Sequence, residues 1–414
     1  MFGLKIRILI LLFLALTVIL GAMSFIVQRR GSGDVYSPVI EVKNPSGPFR
    51  FIEKIFKASA IEKPSKTVFG FLPYWSLSEE KNLDYQTLTD IAYFALYVDG
   101  KGNFITRTED GTSEPGYLAW KEGNTIKTVI KNAKANKVRV ALTLAVHDNG
   151  DIENLLSCNS CWYNLFDNVL AELTEKGIWD INLDFEYMGI PPYLLETRYT
   201  NFVAFIKNEL TIKNANAKVT VSTFADSLQK VRITNIAQLN NVADGLFIMA
   251  YDFYRPTSDK AGPVAPISGY PDKYDYDITR MIEDYKKVAS SEKLILGVPY
   301  YGYNWVVENT EPNSTRIPGD DVLGYSISQN YAQISNSDYQ KDLLWDTEAK
   351  VPYFTYISDT GATRQVYFEN AESLREKYIL AKRENLQGVG IWALGYDEDK
   401  KELWQVLREE FLSE

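Results

Sequence analysis

From Lys66 onward, eight short apolar runs alternate with helical patterns, and that alternation constrains the fold more than any other feature of the chain. The runs cover residues 68–72, 91–97, 138–146, 180–186, 218–223, 245–251, 294–300 and 388–393. Helical periodicity falls between them at 125–136, 162–176, 193–210, 278–288 and 371–384, and 400–412 closes the chain. Parallel strands need crossover connections, which are usually helices. Eight such units are the number that closes a barrel, so the expected class is α/β, a TIM (β/α)8 barrel. Residues of about 306–366 are too many for a loop. They contain strand-like runs such as 351–356, and read as a small α+β insertion after strand seven. A chain of 414 residues with 45% hydrophobic content has room for such a barrel and more.

The N-terminal part reads differently. Residues 8–27 are almost unbroken in apolar character, preceded by Lys5 and Arg7 and followed by Arg29 and Arg30. About 20 such residues span a bilayer as a helix. The expected organisation is a signal anchor over 1–30, a Gly-, Ser- and Pro-rich linker over 31–65, and the barrel over 66–414. The alternative is a signal peptide cut after Ser24. The net charge of −10, with no basic block in the body of the chain, argues against nucleic acid and against a polyanion as the main target. The two cysteines, Cys158 and Cys161, suit a short-loop disulfide in an exported protein or two free thiols. With His147 as the single histidine, a Cys-His zinc site is not credible. No phosphate-cradling glycine motif is present either.

The chemistry concentrates in Trp179-Asp180-Ile181-Asn182-Leu183-Asp184-Phe185-Glu186-Tyr187. Successive side chains of a strand point to opposite faces, so Asn182, Asp184 and Glu186 share one face, with the two acids about 7 Å apart along it. Like charges that close push one pKa up and let that carboxyl hold a proton near neutrality. A protonated carboxyl beside an ionised one suits acetal cleavage. The bland reading is a half-buried strand with a polar face.

This run resembles the D-x-x-D-x-D-x-E strand signature of family 18 glycoside hydrolases, the chitinase-like TIM barrels. Asp184 and Glu186 match its last two acids. Asn182 replaces the middle Asp, as in the cell-wall and spore-cortex branch of the family, and Trp179 replaces the first. Further likenesses fall at successive strand ends. They are Phe69 to Trp75, Met249-Ala250-Tyr251-Asp252, the loop Ala261 to Pro266, Gly297 to Gly302, and Gly390 to Asp397. The resemblance covers about residues 66–400.

The resemblance implies roles for particular residues. Glu186 is the expected general acid. Asp184 orients the substrate acetamide and offsets the positive ring, and Tyr251 hydrogen-bonds the acetamide oxygen. Asn182, Met249, Asp252, Trp392, Tyr74 and Tyr300 are the expected substrate contacts, with Trp392 under the reacting sugar. No cofactor or metal is called for. The implied activity is retaining, substrate-assisted hydrolysis of β-linked N-acetylglucosamine polymers outside the cytoplasm, with peptidoglycan first and chitin second. A non-catalytic glycan-binding protein is the alternative, although such relatives typically lose the Glu. His147 stands where the family's chitinases usually show S-x-G-G, and reads as a hydrogen-bonded loop residue or as a wall of the cleft.

Overall fold

The computed structural model of the protein describes residues 63–340 and 342–412. The anchor and nearly all of the linker expected for residues 1–65 lie outside them. Among the described residues, no helix is long and apolar enough to cross a membrane.

Eight parallel strands close into a barrel. In chain order these are β1 (Thr67–Pro73), β2 (Asp90–Tyr97), β3 (Arg139–Val146), β4 (Asp180–Phe185), β5 (Val219–Phe224), β6 (Gly245–Met249) and β7 (Leu294–Pro299). The last is Gly388–Trp392, which pairs with both β7 and β1. All eight strands are mostly buried, because helices cover the outer face and side chains fill the inner one. The filling is uneven in a way the sequence dictates. Phe69, Phe71, Phe94 and Phe247 project inward against Ala92, Ala141, Ala145 and Ile295. Gly390 makes room for this packing, since a Cβ there would lie 2.1 Å from the Phe247 ring. Large rings against small residues make a solid floor beneath the C-terminal mouth.

The expected insertion is a five-stranded antiparallel sheet. It comprises β8 (Tyr301–Val306), β9 (Ile327–Asn330), β10 (Leu344–Asp346), β11 (Val351–Ile357) and β12 (Thr363–Tyr367), so the closing barrel strand is β13. The spatial order is β10-β11-β12-β8-β9. The sheet starts at Tyr301 rather than near residue 306, because β8 follows β7 after a single residue. Its first strand therefore rises straight from the barrel mouth.

The cysteines form a disulfide, with Cα atoms 5.2 Å apart. Cys158 is also the N-cap of the helix Asn159–Lys176, and its sulfur accepts from the Cys161 amide at 3.2 Å. The bridge thus closes the first turn of that helix, where backbone N–H groups lack partners of their own.

Candidate active site

Strand register brings the acidic face of β4 to the mouth. Ala145 of β3 pairs with Asp184, and Val146 with Phe185. Two residues beyond Ala145, His147 leaves the strand on the same face and arrives beside Glu186. The Glu186 amide donates to the Val146 carbonyl at 3.0 Å, which continues the ladder one residue past β4. The three side chains meet. His147 Nε2 shares a hydrogen bond with Asp184 Oδ2 at 3.1 Å and lies 3.9 Å from Glu186 Oε1. One potential ligand atom from each residue falls within 4.8 Å of the other two. A cation could sit among such donors, but a proton between His147 and Asp184 offsets the same charge.

Asp184 is buried, whereas the Glu186 carboxyl is part-exposed at the cleft surface. Among the described residues, no hydrogen bond is made by the Glu186 carboxyl. Burial raises its pKa, and the Asp184 charge raises it further, against the lowering effect of His147 and Arg255. The result is about 7. The sequence anticipates the direction, but burial outweighs the neighbouring charge as its cause. For His147, burial favours the neutral ring; the hydrogen bond to Asp184 and the charges of Asp184 and Glu186 outweigh it and raise the pKa above 6.5. Both shifts favour the protonated form, so Glu186 and the His147 ring each hold a proton more readily than they would in water.

Asn182 does not contact this cluster by hydrogen bond, and no substrate could reach it. It is fully buried one step below Asp184, where its amide donates to Thr220 Oγ1 at 3.1 Å and accepts from Ser222 Oγ at 3.2 Å. Its role is to brace β4 against β5. Asp180, displaced by one from the signature, accepts two hydrogen bonds from Arg139 at 2.7 and 2.5 Å at the barrel base.

The cluster opens into a cleft of about 830 Å³, whose lining includes Asp184, Glu186, Met249, Tyr251, Asp252 and Trp392. Trp392 ends β13 and is held edge-on by Phe94 and Phe71, with ring centroids 4.8 and 5.5 Å away. Tyr251 is packed edge-on to Tyr301, and burial with the nearby Asp184 charge keeps its phenol firmly protonated. Among the described residues its hydroxyl has no hydrogen-bond partner, so it remains a donor for a ligand. Asp252 has a left-handed backbone, φ 63°. Its Oδ1 accepts from the hydroxyls of both Tyr301 and Tyr303, the latter at 2.6 Å. The inserted sheet thus grips a carboxylate of the barrel.

Two expected contacts fall elsewhere. Tyr300 is fully buried, with its hydroxyl 3.3 Å from that of Tyr378. It is the single residue between β7 and β8, and the alternation resumes at Tyr301 and Tyr303, which take the cleft face. Tyr74 starts a 3-10 helix, Tyr74–Asn82, directly after β1. This swings its ring away from the cleft lining and against Gly116 at the start of the helix Pro115–Glu122. Trp75 stands at the rim instead, half-exposed and donating to the Tyr396 hydroxyl at 3.3 Å.

The sequence profile of glycosyl hydrolases family 18 matches residues 67–397. The chain belongs to that family. A candidate sporulation-specific glycosylase, YdhD, of Bacillus subtilis (strain 168) is 25% identical over 338 residues, covering 80% of this chain and 73% of that protein. The cortical fragment-lytic enzyme of Bacillus anthracis is 24% identical over 328 residues, covering 78% and 68%. Among solved structures, the Ostrinia furnacalis Group IV chitinase in complex with allosamidin superposes with a TM-score of 0.71 at 18% identity, covering 83% of this chain and 98% of that one. The Bacillus megaterium QM B1551 spore cortex-lytic enzyme SleL gives 0.65 at 19%, covering 85% and 75%. The protein is thus a family 18 glycosidase.

His147 is the residue whose importance the sequence conceals, and it carries a prediction. His147→Gln keeps a donor for Asp184 and removes the charge. The positive charge holds the Glu186 pKa down, so its loss should move the alkaline limb of the pH–rate profile upward by about one unit. A profile of kcat/KM that superposes on the parent would refute this coupling.

Proposed function

We propose that this family 18 glycosidase is a retaining enzyme that uses the substrate's own acetamide as nucleophile. Its substrates are β-linked N-acetylglucosamine polymers, peptidoglycan first and chitin second, met outside the cytoplasm. The placement of the two acids side by side on one strand face, rather than across the sugar from each other, supports the mechanism. Glu186 and Asp184 place carboxylate oxygens within 4.8 Å of one another on one strand face. An inverting pair needs about 6.5–9.5 Å, and a retaining pair with a carboxylate nucleophile about 5–5.5 Å across the sugar. The other acids of the cleft are differently engaged. Asp252 is held by Tyr301 and Tyr303, and Asp226 by Arg232 and Lys230. Asp275 is exposed at the edge.

In the proposed reaction Glu186 gives its proton to the glycosidic oxygen as the acetamide oxygen attacks C1. The bond to the leaving sugar breaks and a cyclic oxazolinium ion forms. Asp184 offsets its charge, and the Tyr251 hydroxyl holds the acetamide oxygen. Glu186, now ionised, takes a proton from water that attacks C1, which restores the acetamide with retained configuration. The names of the relatives support a cell-wall substrate, as does Asn182 in place of the signature's middle Asp. Residues 8–27 support a membrane anchor; membrane fractionation with sequencing of the mature N-terminus tests it, and a soluble product starting near Phe25 would overturn it.

Release of reducing ends from purified peptidoglycan, compared with chitooligosaccharides, tests the activity. Cleavage of both with preference for peptidoglycan is expected. Micromolar binding of either polymer without cleavage would replace the enzyme with a lectin.

A further inference from the structure

One wall of the cleft carries three cations, Lys230, Arg232 and Arg255, beside the acids Asp226, Asp252 and Asp275, in a chain whose net charge is −10. Arg255 follows β6, and Lys230 and Arg232 follow β5, its neighbour in the barrel. These cations are not equivalent. Arg232 is nearly buried, lies 4.2 Å over the Phe224 ring and clasps both oxygens of Asp226 at 2.8 and 2.9 Å. Lys230 reaches the same carboxylate at 2.9 Å with a largely exposed side chain, so Asp226 serves two cations.

Arg255 is held at its backbone, and its head makes a loose ion pair with Asp252 but no hydrogen bond. Its carbonyl accepts from the indole N–H of the fully buried Trp305 at 3.0 Å, and its amide donates to Ser258 Oγ at 2.9 Å. Its guanidinium is half-exposed, and the nearest carboxylate oxygen, Asp252 Oδ2, is 3.6 Å away. That exceeds hydrogen-bond distance. Asp252 already receives two tyrosine hydroxyls on its other oxygen. Asp275 is the remaining acid of this side and is exposed. Among the described residues, none of the five N–H donors of Arg255 makes a hydrogen bond. The guanidinium is nonetheless near enough to the acid to lower the Glu186 pKa.

We propose that Arg255, supported by Lys230, is a carboxylate-reading subsite. The preferred substrate is then a glycan whose sugars carry a carboxylate near the scissile bond. A rigid fork of parallel donors matches a carboxylate bidentately and a neutral hydroxyl only singly. The deficit of positive charge over the whole chain does not oppose this, because only charges within about 8–10 Å act strongly at physiological salt. The inference rests on the glycosidase reading and narrows its substrate. In peptidoglycan the carboxylate has two sources, the free lactyl ether of strands stripped of peptide, or the stem peptide that otherwise amidates it.

The test compares kcat/KM on stripped strands, on peptide-bearing strands and on neutral chitooligosaccharides, for the parent and for Arg255→Met. The ratio of carboxylate-bearing to neutral substrate should fall about 10- to 100-fold in the variant. It should also fall with added salt in the parent. Arg255→Lys, which keeps charge without the fork, should recover part of it. A larger effect on stripped strands assigns the lactyl group, and a larger effect on peptide-bearing strands assigns the stem. Binding ratios measured calorimetrically in a Glu186→Gln background give the same comparison without turnover. An unchanged ratio in Arg255→Met overturns the subsite. A parent that cleaves no glycan, yet shows an Arg255-dependent binding ratio, overturns the glycosidase mechanism and leaves the subsite standing.

Discussion

Glu186→Gln is expected to lower kcat by roughly 10²–10⁴, the usual value of a positioned general acid, while glycan binding persists. Glutamine matches the carboxyl in shape and cannot deliver its proton to the glycosidic oxygen. The loss should therefore follow the leaving group. On natural polymer, where the departing sugar alkoxide needs protonation most, it should be greatest. On aryl glycosides with acidic phenol leaving groups, the first step needs little help and much of the rate should return. Steady-state kinetics on both substrate types measures this. Parental activity of the variant on every N-acetylglucosamine polymer would remove Glu186 from the mechanism.

Asp184→Asn should cost about 10²-fold, in the range of other losses of preorganised electrostatic stabilisation, with no rescue by aryl leaving groups. The amide can still meet His147 Nε2, now 3.1 Å from Asp184 Oδ2, so the geometry survives. What disappears is the negative charge that faces the cyclised ion in the proposed mechanism. The variant also makes a signed claim about pH. The Asp184 charge raises the Glu186 pKa, and the His147 charge lowers it. Asp184→Asn should thus move the alkaline limb down in pH, and His147→Gln should move it up. Opposite displacements from two neighbours of one carboxyl are hard to produce by general loosening of the site. If both variants shift the limb in the same direction, the charge account fails.

The barrel strands are legible because each is a compact apolar run, and burial on both faces demands that pattern. The helices Pro115–Glu122, Asn149–Leu156 and Ile236–Val242 escape the periodicity reading because seven or eight residues give barely two turns. Their signals are the caps. Glu114, Asp148 and Asn235 each accept a backbone N–H in the first turn of the helix that follows. In the site, Asp184 and Glu186 are visible because period two places them on one face of a single strand. His147 lies 37 residues upstream of Asp184 and joins it only through the β3–β4 register, which sequence spacing does not express. Tyr300 misleads because one non-strand residue between β7 and β8 resets the alternation.

The grip of Tyr301 and Tyr303 on Asp252 also bears on how such a protein could be shortened or recombined. The inserted sheet has the outward look of an accessory, an excursion from a barrel that is closed without it. Yet its first strand supplies the hydroxyls that keep a barrel carboxylate in place beside Arg255. Trimming the chain to a minimal barrel would leave Asp252 without those donors, free to pair fully with Arg255 and to silence it. An enzyme cut down in this way would lose more than a wall of its groove; it would be rewired at the mouth.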